Sequence, residues 1–140
     1  MNDLERAIHI ATDAYTGQTD KAGETYIRHP LRVMRQMDTE TERVVAVLHD
    51  VVEDSDYELD DIESQFDTTV REAVDALTKR EEESYAEAIE RAGSNTIAQR
   101  VKIADLRDNM DLTRLESVDD ESQSRLKKYH RSWQRLNEMG

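Results

Sequence analysis

The sequence predicts an all-α fold, organised as one domain over residues 1–140. Three observations carry that expectation. Apolar residues recur at helical three- and four-residue spacing in segment after segment. No stretch alternates with a two-residue period for long enough to make a strand. One proline and four glycines in 140 residues leave room for helices joined by short loops and little else.

Each element follows from that pattern. Leu4, Ala7, Ile8, Ala11, Ala14 and Tyr15 give a first helix over Asp3–Tyr15, with His9 read as a surface histidine. Thr16–Arg28 is a polar loop with two glycines, in which Lys21 is either solvated or a phosphate contact. His29-Pro30 opens a second helix, with Pro30 at its first position and His29 as its cap. Leu31, Val33, Met34 and Met37 form its core face, and Thr39 or Thr41 caps the next helix. That third helix runs through Val44–Asp54, VVAVLHDVVED, with His49 and Glu53 sharing one face and Asp50 and Asp54 another. A turn at Ser55–Tyr57 leads to short helices marked by Leu59, Ile62 and Phe66, then by Val70, Ala73, Val74 and Leu77. Thr78–Ser84 is a charged connector. Tyr85, Ala88 and Ile89 mark a helix closed by Gly93, with Tyr85 as a packing residue. Ser94 or Asn95 caps a long helix carrying Ile97, Ala98, Val101, Ile103, Ala104 and Leu106. Thr113–Asp120 is a loop, and Ser122–Met139 closes the chain on Leu126, Tyr129, Trp133 and Leu136, with His130 structural beside that stripe.

Composition narrows the function. There are no cysteines, so disulfides and thiolate metal sites are excluded. No apolar run has membrane length and no signal-peptide pattern is present, so the expectation is a soluble cytoplasmic protein. A net charge of −13 argues against nucleic acid or an anionic membrane as partner. It also means that an anionic substrate needs a cation and local basic groups to reverse the field.

The third helix is where the chemistry concentrates. An apolar helix carrying a histidine and three carboxylates is costly to bury unless those groups are paired or hold a metal. Asp105, at the end of the VKIAD apolar stretch, repeats the same costly feature. His29, His49, Asp50 and Asp105 are therefore the candidate ligands of one divalent cation. Imidazole and carboxylate donors without thiolates favour Mn²⁺, Fe²⁺, Mg²⁺ or an unusual Zn²⁺ site over a structural zinc. Glu53 and Asp54 lie just outside, where a carboxylate can orient a water and take its proton. That is the layout of a metal-assisted phosphoester hydrolase. It is not an HExxH site, since the position four after His49 is Glu53.

The order His29, His49-Asp50, Asp105 resembles the signature of the HD-domain metal-dependent phosphohydrolases. The context is similar to the RelA/SpoT-type hydrolase domain and its stand-alone small alarmone hydrolases. Gly17–Pro30 (GQxxKxGExYIxHP), Val47–Asp54 (VLHDVVED) and Val101–Leu112 (VKIADLRDNMDL) carry the resemblance. It implies a helical HD-domain bundle around a central metal site, with His29, His49, Asp50 and Asp105 as ligands of Mn²⁺. It implies Glu53 and Asp54 as the catalytic acidic pair, Lys21 near the substrate phosphates and Asn109 on the nucleotide. The implied reaction removes the 3′-pyrophosphate of a guanosine alarmone.

Three positions depart from that family pattern. Asp20 stands where an Arg stacks on guanine, Leu106 stands in place of a basic residue, and Asp111 stands where Arg is frequent. Arg80, Arg107, Arg114 or Lys127 could supply positive charge from new places. Two alternatives follow: an HD phosphohydrolase acting on another nucleotide or small phosphorylated metabolite, and a non-catalytic, metal-stabilised nucleotide-binding module.

Overall fold

A computed structural model describes residues 1–139 of the chain. The fold is all-α, as the spacing predicts: α1 Asp3–Ala14, α2 Arg28–Arg35, α3 Glu40–Leu48, α4 Val51–Asp54, α5 Leu59–Gln65, α6 Thr68–Leu77, α7 Tyr85–Gly93, α8 Thr96–Asn109 and α9 Asp120–Met139. A single 3-10 turn, Leu112–Arg114, interrupts the loop between α8 and α9. No described helix is long and apolar enough to cross a membrane.

Local chemistry sets the helix starts. Asn2 and Glu5 close a capping box on α1, Thr39 and Glu42 on α3, and Ser84 and Glu87 on α7. Asn95 caps α8 by accepting the Ala98 N–H at 2.9 Å. Gly17 and Gly23 sit at φ +80 and +83, a backbone region other residues enter at a cost, and they turn the loop before α2. Across that loop Thr19 and Thr25 make an isolated antiparallel bridge.

Helix α3 is the centre of the bundle. Val44, Val45, Ala46, Val47 and Leu48 are all buried. A helix buried on every side must be packed on every side, and α3 touches α1, α2, α6 and α8. Each fully buried Val or Leu side chain contributes about 1.5–3 kcal/mol. A smaller cluster, Ile89, Leu106 and Leu136, ties α7, α8 and α9 together on the far side of α8. The site lies between these two cores, because α8 faces both.

Two details differ from the sequence expectation. The Val44–Asp54 segment is not one helix: α3 stops at Leu48, and Asp50 (φ −109, ψ 2) turns the chain into the single turn of α4. The cause is His49, whose Nδ1 bonds the Ala46 carbonyl at 2.6 Å. That carbonyl would otherwise accept the Asp50 N–H in a continuing helix. Helix α2 also begins earlier than expected, at Arg28, so His29 and Pro30 lie inside its first turn. Pro30 remains compatible, because the first four N–H groups of a helix have no intrahelical acceptor.

Candidate metal centre

Four side chains from three regions of the chain converge. His29 projects from the first turn of α2, His49 and Asp50 from the break between α3 and α4, and Asp105 from α8. One ligand atom from each lies within 4.8 Å of all the others. His29, His49 and Asp105 are 4%, 1% and 3% exposed, so water can do little to relieve the charge they carry.

Their hydrogen bonds show which atoms are left to hold a cation. The Nδ1–H of His49 donates to the Ala46 carbonyl, which leaves Nε2 as the lone-pair nitrogen. That Nε2 is buried with no hydrogen-bond partner, although Asp50 Oδ2 lies 3.1 Å away and Asp105 Oδ1 3.4 Å away. A lone pair facing two carboxylate oxygens is repulsive unless a cation or a proton stands between them. His29 repeats the pattern, with Nδ1 2.6 Å from Asp108 Oδ2 and Nε2 2.8 Å from Asp105 Oδ1. The donor set, two imidazoles and two carboxylates, suits a divalent cation.

The titration behaviour agrees. Burial opposes a charge on His29, but hydrogen bonds to Asp105 and Asp108 outweigh it and raise its pKa. His49 rises well above the ordinary range: burial again opposes, and the charges of Asp50 and Asp105 win. Asp50 and Asp105 are held below the usual carboxylate range against their burial, Asp50 chiefly by His49 and Asp105 by Lys102 and His49. Both carboxylates thus favour positive charge on the two imidazoles, the sign of charge that a divalent cation would bring.

A surrounding set of residues fixes these ligands, and the sequence reading missed most of it. Lys102 Nζ binds Asp105 Oδ2 at 2.8 Å. Tyr26 donates its hydroxyl to Asp50 Oδ2 at 2.9 Å. Asp108 accepts from His29 and from Arg32, whose Nε and Nη2 reach its two oxygens at 2.8 and 3.0 Å. Lys102 and Asp108 stand three residues before and after Asp105, on its helix face, and that spacing was the available signal. Asn109 is also part of this set, since its Nδ2 donates to Asp105 Oδ1 at 3.1 Å.

The acidic pair lies one turn beyond Asp50, exposed on α4. Glu53 Oε1 accepts the Lys79 N–H at 2.8 Å, which ties it to the charged connector. Burial, followed by the charges of Asp50 and Glu53, pushes Asp54 up to about 6.

Beside the four ligands opens a cavity of ≈ 370 Å³, with His29 in its wall. Lys21, Arg32, Arg114 and Arg125 line it, against Asp20 and Asp111. A chain of net charge −13 thus turns a locally basic face toward this one cavity. Asp20 and Asp111 are partly spent on local structure. Asp20 Oδ1 accepts the Ala22 and Glu24 N–H groups, and Asp111 caps the 3-10 turn through Thr113. Of the four cations considered as new charge sources, Arg114 lines the cavity. Arg80 pairs with Asp75, and Arg107 borders a separate small cleft. Tyr85 packs within the Ile89–Leu106–Leu136 cluster.

Comparison with known proteins follows the same lines. A family profile described as HD domain matches residues 7–134. The chain is 36% identical over 97 residues to the guanosine-3′,5′-bis(diphosphate) 3′-pyrophosphohydrolase of Vibrio cholerae, and 35% identical over 97 residues to the bifunctional (p)ppGpp synthase/hydrolase SpoT of Escherichia coli. Each match covers 66% of this chain and 14% of the relative, so the chain spans about one seventh of their length. Among solved structures, a metazoan ortholog of SpoT that hydrolyses ppGpp superposes with a TM-score of 0.73 at 22% identity, over 99% of this chain and 94% of that one.

Proposed function

The chain belongs to the HD-domain family, and we propose that it is a metal-dependent phosphohydrolase that removes the 3′-pyrophosphate of a guanosine alarmone. One observation carries the reading: His29, His49, Asp50 and Asp105 bring four donor atoms within 4.8 Å beside a basic-lined cavity. A cavity of ≈ 370 Å³ falls in the size range of small-molecule sites. The similarity to alarmone hydrolases supports the substrate class.

The four residues would hold one divalent ion, for which Mn²⁺ suits the oxygen and imidazole donors. Such an ion supplies Lewis acidity to a phosphate oxygen and to a water. The remaining work falls to this chain's own groups. Asp54, exposed one turn beyond Asp50, is placed to take and return a proton. Glu53, held by the Lys79 N–H through one oxygen, keeps the other to orient a water. Lys21, Arg114 and Arg125 neutralise substrate phosphates from the cavity wall, and Asn109 sits on the same wall, braced against Asp105.

A second reading rests on Asp20 and Asp111. Both place a negative charge on the cavity wall, which favours a substrate with fewer phosphates or a different base. The deciding experiment is pyrophosphate release from guanosine 3′-diphosphate 5′-diphosphate, with Mn²⁺ and with chelator. Mn²⁺-dependent release supports the alarmone reading. No release from protein shown to contain metal, with turnover of another phosphorylated nucleotide, moves the assignment to the second reading.

A further inference from the structure

We propose that Asp108 and Arg32 form a brace that positions the metal ligand His29, so that a residue of the cavity wall sets metal affinity without touching the ion. The inference deepens the metal-centre reading and rests on it. Asp108 is 7% exposed and faces His29 Nδ1 at 2.6 Å through Oδ2. A carboxylate in that place keeps the proton on Nδ1 and leaves Nε2, the nitrogen that faces Asp105, free for the ion.

Asp108 does not hold itself in position. Arg32 grips it with a two-point fork, Nε to Oδ1 at 2.8 Å and Nη2 to Oδ2 at 3.0 Å. Arg114 adds its Nη1 at 3.4 Å from Oδ1 and its Nη2 at 3.2 Å from the Asp108 carbonyl. The fork fixes both the plane and the rotation of the carboxylate, which a single point charge would not do. Both arginines line the cavity. Oδ2 is shared between Arg32 and His29, so displacing the guanidinium displaces the acceptor of the ligand's proton.

The test is the Mn²⁺ dissociation constant of the ion-stripped protein, measured by calorimetry on wild type, Asp108→Asn, Arg32→Lys and the double variant. Asp108→Asn weakens binding about 10- to 100-fold. Arg32→Lys keeps the charge and loses the fork, so it weakens binding by up to about tenfold. The double variant is no weaker than Asp108→Asn alone, because Arg32 acts through Asp108. A second readout is the Nδ1 proton of His29 in Zn²⁺-loaded, diamagnetic protein. In wild type it resonates far downfield and exchanges slowly, and in Asp108→Asn it does neither.

Arg32→Lys binding equal to wild type overturns the brace, because a purely electrostatic role for Arg32 gives that result. Asp108→Asn binding within twofold of wild type, with the downfield proton retained, overturns it as well. Where Asp108→Asn yields no folded protein, Arg32→Lys decides the matter. Wild-type protein that binds no divalent ion defeats the metal-centre reading instead, so the two failures are distinct.

Discussion

Metal binding should displace imidazole protons, and the number displaced tests the electrostatics of the site. His29 and His49 both sit above the ordinary histidine range, His49 well above it. An unperturbed imidazole at pH 7.5 is about one-tenth protonated, so ordinary histidines would release about 0.2 protons per ion. The raised values predict a release clearly above that, chiefly from His49. Below both folded pKa values the count reaches two, and affinity then falls about 100-fold, or about 2.7 kcal/mol, for each further unit of pH.

Stability follows with opposite signs in the two states. Raised imidazole pKa values stabilise the ion-free protein fully below about pH 6.5, and that contribution is lost as pH rises through the folded values. The loaded protein gains instead by mass action, about 2.7 kcal/mol at free ion 100 times the dissociation constant. For a chain of 140 residues that is a rise in Tm of about 9 °C. The assay is Mn²⁺ calorimetry at pH 7.5 in buffers of different ionisation enthalpy, with thermal melts at pH 6 and 8, with and without chelator. Release below about 0.3 protons per ion, or a melt indifferent to chelator, refutes the reasoning.

Four further outcomes are expected. Glu53→Gln keeps an acceptor for the Lys79 N–H, so steady-state kinetics should show turnover down about 10²- to 10⁴-fold with an unchanged melt. Asp105→Asn leaves Lys102 and two histidines facing a neutral amide, and urea titration of the ion-free protein should show a loss of about 3–5 kcal/mol. Ile62→Ala, at a fully buried position on α5, a helix that carries none of the four candidate ligands, should cost about 2–5 kcal/mol in the same titration and leave Mn²⁺ affinity unchanged. Arg91 donates to the carbonyls of Asp75, Ala76 and Thr78 and pairs with Glu83, whose carboxyl it holds down to about 2. Wild type should therefore lose this contribution as pH falls from about 4.5 toward 2, and in acid denaturation Arg91→Met should show a weaker pH dependence over that interval.

Much of the fold was legible because local rules and tertiary packing agree here. The capping residues read from the sequence mark α3 and α8 within a residue or two, and the apolar stripes select the faces that are buried. His49, Asp50 and Asp105 stood out for a different reason: each is a polar group in an apolar stretch, a cost that only pairing or a metal offsets. His29 was marked only by the His-Pro start of a helix and by the family resemblance. Asp108 and Arg32 escaped notice because in RDNMD and PLRVMR nothing local marks one charge as buried and another as solvated, and their pairing comes from α2 and α8 meeting across the site. Lys102 was within reach of the sequence, since it stands three residues before Asp105 on the same helix face.

The break after His49 shows how the chain sets the acidic pair outside the four candidate ligands, where the sequence also placed it, although by a turn and not by one continuous helix. On an unbroken helix His49 and Glu53 would share a face, and both would point at the ion. His49 takes the Ala46 carbonyl, the helix stops, and Asp50 turns inward to meet the lone pair of His49 Nε2. Glu53 and Asp54 are thereby carried to the exposed side of the next turn, where Glu53 meets Lys79 and Asp54 keeps access to solvent. The same hydrogen bond that fixes the histidine tautomer therefore separates the four candidate ligands from the proposed acid–base pair. A site that must hold a cation tightly and still pass protons to water needs that separation, because a carboxylate bound to the ion is too weak a base to take a proton.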